Sequence, residues 1–285
     1  MAEILKGAPA AAALTEQLIR RAEALKEKGI VPALAILRVG EREDDIAYET
    51  GAMKRCAKVG VEAKQFILPV DCTKEQLLDT IREINEDRTV HGCLLFRPLP
   101  DRDMEAAACA LLAPEKDVDG MTAGSLAAVF AGKGAGFAPC TAQAVVELLD
   151  HYGIDPAGKR AVVVGRSLVI GRPVSMLLQQ RNATVTMCHT KTADLAAECR
   201  RGEILVVAAG RAGVVTKDHV SPGQIVIDVG IHVGADGRLC GDVRFDEAEP
   251  IVSAITPVPG GVGSVTTAVL CKHVIEAAER TCGAD

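Results

Sequence analysis

Arg160-Ala161-Val162-Val163-Val164-Gly165-Arg166-Ser167-Leu168-Val169-Ile170-Gly171-Arg172-Pro173 is the stretch that decides the fold of this 285-residue chain. Four consecutive apolar residues, Ala161 to Val164, leave no polar alternation, which is the pattern of a parallel strand buried on both faces. The run stops at Gly165. Ser167 is placed to bond backbone within the turn, and Gly171-Arg172-Pro173 opens a helix that continues through Val174 to Leu178. Strand, glycine turn and helix form the geometry in which N–H groups at a helix start hold a phosphate. The Gly165-x5-Gly171 spacing differs from the common G-x-G-x-x-G pattern, so these residues alone leave an ordinary βα turn open.

About twenty residues further on, a dinucleotide fold brings its second strand to the adenosine ribose. Here Ala183-Thr184-Val185-Thr186-Met187-Cys188 runs into His189-Thr190-Lys191-Thr192 with no acidic residue at the tip. The carboxylate that receives an unmodified ribose is missing. Thr190, Lys191 and Arg166 make the expected surroundings cationic and hydroxyl-bearing, which suits a 2′-phosphate and therefore NADP over NAD.

Composition sets the class. The chain is long enough for two domains with separate cores, and 48% of its residues are hydrophobic. A net charge of −6 with both signs mixed along the sequence gives no basic stripe for nucleic acid and no polybasic cluster for a membrane. Small-molecule chemistry is the better expectation. Met1-Ala2-Glu3-Ile4-Leu5-Lys6 lacks the pattern of a signal peptide and no apolar run reaches membrane length, so a cytoplasmic protein is expected. Ten cysteines are scattered without one C-x-x-C pair. They read as reduced thiols, several of them (Cys93 and Cys188) small buried hydrophobes, and no metal site is expected.

The rest of the chain alternates strand and helix. An alanine-rich helix is expected over 8–28, then a strand over 32–39, a helix over about 45–59 carrying Tyr48, a strand over 61–68, a helix over 73–86 and a strand over 90–96. The acidic run Glu41 to Asp45 complements a helix start and is mainly structural. Arg97-Pro98-Leu99-Pro100 forbids both helix and central strand. A short helix over about 103–112 leads to Asp117-Val118-Asp119-Gly120. A connecting helix over 141–151 precedes the dinucleotide unit, whose later strands fall at 204–208 and 224–229. A hairpin-like segment follows at 235–238, and the final helix is expected over 264–280.

Asp117-Val118-Asp119-Gly120, Gly165-Arg166-Ser167 with Gly171-Arg172-Pro173, Asp228-Val229-Gly230-Ile231, and Thr256-Pro257-Val258-Pro259-Gly260-Gly261-Val262-Gly263 together resemble the methylenetetrahydrofolate dehydrogenase/methenyltetrahydrofolate cyclohydrolase family, in order over nearly the whole chain. The most specific piece is Pro257 to Gly263. The resemblance implies a two-domain α/β fold: a folate-binding catalytic domain from residues 1–140 and 256–285, and a Rossmann-like NADP domain over 141–255. The final helix would return to the first domain. It also implies a cleft between domains, a homodimer, tetrahydrofolate derivatives as ligands, and oxidation of 5,10-methylenetetrahydrofolate followed by hydrolysis of the methenyl product to 10-formyltetrahydrofolate. Carried over by position, Tyr48 and Asp119 are the catalytic and folate-binding residues, with Pro257, Gly260 and Gly261 also at the folate. Gly165, Arg166, Ser167, Gly171, Thr190, Lys191 and Ile231 are at the cofactor.

The departures cluster on the folate side. The family's Tyr-x-x-x-Lys reads Tyr48-Glu49-Thr50-Gly51-Ala52, so alanine stands where lysine drives hydrolysis. At about 100° per residue Lys54 lies roughly 120° from Tyr48 around the helix, and Arg55 returns to that face only about 10 Å further along. The supporting glutamine of Val-Gln-Leu-Pro-Leu-Pro is Phe96, followed by Arg97. Met121-Thr122, Ala142 and Ser264 are further changes.

These losses bear unequally on the two steps. Hydride departure from the methylene carbon is driven by nitrogen lone pairs and needs positioning more than an acid or base. Hydrolysis needs a titratable group. The residues therefore predict an NADP-dependent dehydrogenase with weak or lost cyclohydrolase. A fully bifunctional enzyme and a non-catalytic folate- or nucleotide-binding regulator are the alternatives.

Overall fold

Which strands are apolar throughout fixes the architecture. The structure, a computed structural model, describes residues 1–234 and 237–282. The chain divides into two compact units, Met1–Ala13 with Thr141–Thr266, and Leu14–Cys140 with the chain from Thr267 onward. It opens with a two-residue strand, β1 (Glu3–Ile4), and a long helix, α1 (Gly7–Glu27), along which the division falls.

The unit from Leu14 is built on β2 (Ala33–Val39), every residue of which is buried. Helix α2 (Glu43–Val59) leads to β3 (Glu62–Leu68), α3 (Lys74–Glu86), β4 (Gly92–Leu95), α4 (Arg102–Leu111) and α5 (Ala123–Ala131). The three strands pair in parallel in the order β3-β2-β4, which leaves both faces of β2 dry. Leu77, Ile81 and Ile84 recur at helical spacing on α3 and pack with Leu37, Cys93 and Leu95. Thr73 starts that helix with a capping box: Gln76 N–H donates to Thr73 Oγ1 (3.2 Å) and Thr73 N–H to Gln76 Oε1 (2.8 Å).

After α6 (Cys140–His151) the other unit forms a six-stranded sheet from β5 (Arg160–Val164), β6 (Thr184–Cys188), β7 (Ile204–Val207), β8 (Ile225–Asp228), β11 (Ala254–Ile255) and β1. Helices α7 (Gly171–Gln180), α8 (Leu195–Arg201) and α9 (Phe245–Ala248) lie between its strands in sequence. All pairings are parallel in the order β1-β11-β8-β7-β5-β6. The order reverses at β5, the switch point at which open α/β sheets bind ligands beyond the strand ends. Val162, Val164, Leu205, Val207, Val226 and Ile255 form its core. A separate antiparallel pair, β9 (His232–Val233) and β10 (Leu239–Cys240), flanks the expected hairpin at 235–238, of which Ala235 and Asp236 lie outside the described residues.

The last helix, α10 (Thr266–Thr281), belongs from Thr267 to the unit of β2, as the expected fold class requires. Its start is two residues later than predicted, because Val262–Ser264 is a 3-10 turn. Arg21 of α1 ties to it through Glu279 (Nη2–Oε2 2.6 Å), and His273 stacks on Phe137 at 4.9 Å. Two strands, β1 and β11, and three helices, α5, α8 and α9, were not anticipated. Residues 1–13 and 256–266 cluster with the dinucleotide sheet, where the sequence suggested the other domain; β1 lies parallel to β11, with Glu3 opposite Ala254. Among the described residues no helix is long and apolar enough to cross a membrane.

Candidate active site

The glycine turn is shaped by how tightly it packs. A Cβ on Gly165, whose φ is +130°, would lie 2.1 Å from Ala208 O, and one on Gly171 would lie 2.3 Å from Gly165 O. Only hydrogen fits at either position, so backbone rather than side chain faces the space beyond the strand. Ser167 Oγ accepts the Ile170 N–H (3.1 Å) just before α7 begins. Together these features fit a dinucleotide phosphate at the start of α7.

Strand pairing places the second cofactor group beside the first. Val164 lies opposite Cys188 and Gly165 N–H donates to Cys188 O (2.9 Å), so the Arg166 turn and the Thr190-Lys191 turn leave neighbouring strands at the same end. Arg166, Thr190 and Lys191 are all exposed there. The second turn is held by His189, which donates its N–H to Thr192 Oγ1 (2.9 Å) and accepts that of Lys191 on Nδ1 (3.2 Å).

A cavity of about 380 Å³ brings the remaining residues of this unit together: Ile231, Pro257, Gly260 and Gly261 line it with Ile170 of the glycine turn and Asp228. Val258-Pro259 is a cis peptide within the loop. Asp228 lines the cavity, and a second aspartate that the sequence reading did not pair with it, Asp242, stands behind. Asp228 accepts N–H groups from Gly230 (3.0 Å), Asp242 (3.0 Å) and Val243 (2.9 Å), and burial pushes its carboxyl up to about 6 in spite of them. Asp242 accepts from Ala209 (2.6 Å), Gly210 (3.0 Å) and Arg211 (2.9 Å), and from His232 Nε2 (2.7 Å). Asp-x-Gly after one strand and Gly-Asp before a bridge were the available signals. Gly7 was missed as well: its N–H donates to Gly260 O (2.8 Å), beneath the loop.

In the other unit Tyr48, 38% exposed, meets the Phe96 ring edge-on at 5.9 Å. Ala52 is 1% exposed on the buried side of α2, with Glu49 and Cys56, whereas Lys54 is exposed. Glu49 is committed to structure: its Oε2 accepts Arg38 Nε (2.8 Å) and its Oε1 accepts Gln65 Nε2. Asp117 accepts the N–H groups of Met121 (3.1 Å) and Thr122 (2.7 Å). Asp119 is half-buried; burial first and the Asp117 carboxylate second push its carboxyl up to about 6, against the pull of Arg97 and of a hydrogen bond from Cys140. Gly120, at φ +68°, leaves room for Ala138 and Pro139, whose atoms a Cβ would meet at 2.4 Å. The expected folate residues thus fall in two groups, Tyr48 and Asp119 in this unit and Pro257, Gly260 and Gly261 in the other.

A parallel sheet with a glycine cradle at its switch point, joined in one chain to a second α/β unit carrying a tyrosine and two neighbouring aspartates, defines a two-domain dinucleotide-dependent enzyme. Residues 5–119 match the tetrahydrofolate dehydrogenase/cyclohydrolase catalytic domain, and residues 139–282 match the tetrahydrofolate dehydrogenase/cyclohydrolase NAD(P)-binding domain. The chain is 53% identical over 281 residues to the bifunctional protein FolD of Carboxydothermus hydrogenoformans, covering 98% of each. The crystal structure of the bifunctional FolD methylenetetrahydrofolate dehydrogenase/cyclohydrolase from Campylobacter jejuni is similar at TM-score 0.93 and 37% identity, over 99% of this chain and 100% of that one. The Trypanosoma brucei N5,N10-methylenetetrahydrofolate dehydrogenase-cyclohydrolase (FolD), complexed with NADP cofactor and inhibitor, is similar at TM-score 0.90 and 35% identity over 99% of both chains. This chain belongs to the tetrahydrofolate dehydrogenase/cyclohydrolase family.

Proposed function

We propose that this protein is an NADP-dependent methylenetetrahydrofolate dehydrogenase whose cyclohydrolase step is weak or lost. The observation that carries the dehydrogenase is the cavity in which Ile231, the Pro257–Gly261 loop and the end of the glycine turn meet. When bound, NADP⁺ supplies the hydride acceptor. The chain supplies position: the Gly165–Gly171 turn receives the phosphates, and Arg166, Thr190 and Lys191 receive the 2′-phosphate. Tyr48 walls the pterin, and Asp119 accepts hydrogen bonds from its amino-pyrimidine edge. None of these roles requires proton transfer.

Hydrolysis does require it, and at the position where the family carries its lysine this helix carries Ala52. Ala52 is buried and Phe96 fills the space beside Tyr48. Glu49, the nearest carboxylate in sequence, has both oxygens occupied. The deciding experiment mixes methylenetetrahydrofolate, NADP⁺ and the protein and follows methenyl and NADPH absorbance together. Equal appearance of both, with methenyl persisting at its spontaneous decay rate, is expected. Rapid methenyl decay would establish a fully bifunctional enzyme, and binding without turnover a regulatory protein. The homodimer implied by the family belongs to the same reading, and sedimentation equilibrium at micromolar concentration tests it.

A further inference from the structure

The carboxylate of Asp242 has no part in the chemistry above, yet the loops around the cofactor cavity converge on it. It is fully buried, and its donors come from chain that has left β7 or β8 at the carboxyl end, the side on which parallel sheets bind ligands. Oδ2 accepts the N–H groups of Ala209 (2.6 Å) and Gly210 (3.0 Å), and Oδ1 accepts that of Arg211 (2.9 Å) together with Nε2–H of His232 (2.7 Å). Just before these amides, Ala208 N–H donates to Val164 O (2.7 Å), and Ala208 O is the atom against which Gly165 packs. Through this loop the carboxylate reaches the glycine turn. On its other side, His232 directly follows Ile231, which lines the cavity. Asp242 N–H also donates to Asp228 Oδ1 (3.0 Å), and Asp228 N–H donates to Thr256 Oγ1 (2.7 Å), immediately before Pro257. Gly230 completes the fit, since a Cβ there would lie 2.4 Å from Asp242 Cγ.

We infer that Asp242 and His232 are positioning residues for the nicotinamide half of the cofactor: the buried carboxylate gathers the loop after β7 and, through His232, the segment of Ile231, and so fixes the walls between which the nicotinamide ring is presented to the folate. The inference rests on the NADP site given above. A buried carboxylate costs free energy unless donors surround it, and these donors are supplied by loops. The charge is therefore satisfied only when the loops take one arrangement, and a fully satisfied buried network rigidifies what it joins. His232 is the side-chain donor of the set, so its bond can be removed without touching the backbone. Arg166, Thr190 and Lys191, which receive the 2′-phosphate, lie instead on the turns after β5 and β6. The two ends of the cofactor site thus have separate supports, and the network serves one of them.

The test uses His232→Leu, His232→Gln and Asp242→Asn in the full chain. Calorimetry gives the affinity of each protein for NADP⁺ and for adenosine 2′,5′-bisphosphate, which carries the 2′-phosphate end and no nicotinamide. His232→Leu removes the donor, whereas His232→Gln returns an amide N–H near the place of Nε2. Asp242→Asn keeps one acceptor oxygen and turns an amide against backbone donors. In His232→Leu the Kd for NADP⁺ rises about three- to tenfold, as for a lost hydrogen bond to a charged group that water partly replaces, while the bisphosphate changes by less than about twofold. His232→Gln binds NADP⁺ within about twofold of the natural protein, and Asp242→Asn repeats the pattern of His232→Leu with a loss of about tenfold or more. Equal losses of both ligands, an unchanged NADP⁺ affinity in folded His232→Leu, or a His232→Gln protein no better than His232→Leu overturns the proposal. If Asp242→Asn does not fold, the two His232 variants decide alone. Absence of turnover in the unmodified protein would instead defeat the dehydrogenase reading, and the two affinities would still decide the role of the network.

Discussion

Arg166 and Ala52 differ in how easily a proposed role is read from the sequence. Arg166 sits exposed in the glycine turn, beside the turn that carries Thr190 and Lys191. A charge-assisted contact to a 2′-phosphate is worth about 1.5–3 kcal/mol. Arg166→Ala should therefore weaken NADP⁺ by an order of magnitude or more, and NAD⁺ little, in titrations of each cofactor. Equal loss of both would reject the assignment. Ala52 is legible only as a missing lysine, because an alanine buried on a helix looks like ordinary packing. Ala52→Lys with Phe96→Gln should raise methenyltetrahydrofolate decay above the spontaneous rate, toward the roughly 10²–10⁴-fold that general acid–base groups supply, with hydride transfer much less affected. Unchanged decay in a folded double variant would mean that these two positions do not control hydrolysis. Asp228 and Asp242 were harder to read, since an aspartate accepting backbone N–H groups across a sheet end looks in sequence like any loop aspartate.

At the scale of elements, legibility follows period and length. The buried strands β2 and β5 and the amphipathic α3 announce themselves through apolar runs and helical spacing. β1 and β11, at two residues each, are too short to show a period, and the nine residues of α5 are apolar on nearly every side. The last helix was legible in extent, but its buried histidine acquires meaning only from its neighbours. His273 donates Nδ1–H to Val118 O (2.8 Å) and stacks on Phe137, with Arg280 over the same ring at 4.1 Å. Burial lowers its pKa to about 4 in the folded protein, against about 6.5 in the unfolded chain. The unfolded state therefore binds the extra proton first. Stability is full above pH 6.5, falls as the pH drops, and levels off below about 4, by about 3 kcal/mol in total. Asp119, raised to about 6, works in the opposite sense over an overlapping range, so the comparison must be with a variant. Denaturant midpoints between pH 4 and 8 should fall less steeply with acid in His273→Asn than in the natural chain; parallel curves would count against this role of His273.

Over the whole molecule, the chain is threaded so that its first residues serve a loop near its other end. Ile4 lies opposite Ile255 at the edge of the six-stranded sheet, Leu5 N–H donates to Ile255 O (2.9 Å), and Gly7 N–H donates to Gly260 O (2.8 Å). The sequence could not display this, because a two-residue strand and a glycine at a helix start carry no mark of their partner. Its consequence is a functional role for Gly7 that its position in the sequence would not suggest. A Cβ there would lie 2.0 Å from Gly261 O and 3.0 Å from Ser264 Cβ, so alanine cannot enter unless the Pro257–Gly261 loop shifts. That loop lines the cavity with Ile231, whereas the turn that holds Arg166 and the turn that holds Lys191 lie on β5 and β6, across the sheet from β1. Overpacking of this kind costs about 1–3 kcal/mol. Gly7→Ala should therefore lower the thermal midpoint by several degrees and raise KM for methylenetetrahydrofolate severalfold, while adenosine 2′,5′-bisphosphate, which reaches only the phosphate end of the cofactor site, binds with affinity changed less than about twofold. Hydrogen exchange should quicken at Leu5, Gly7 and the loop amides and stay unchanged at Val162 to Val164. A variant that loses both ligands equally, or one whose loop exchanges as slowly as in the natural protein, would show that the first residues do not support the Pro257–Gly261 loop.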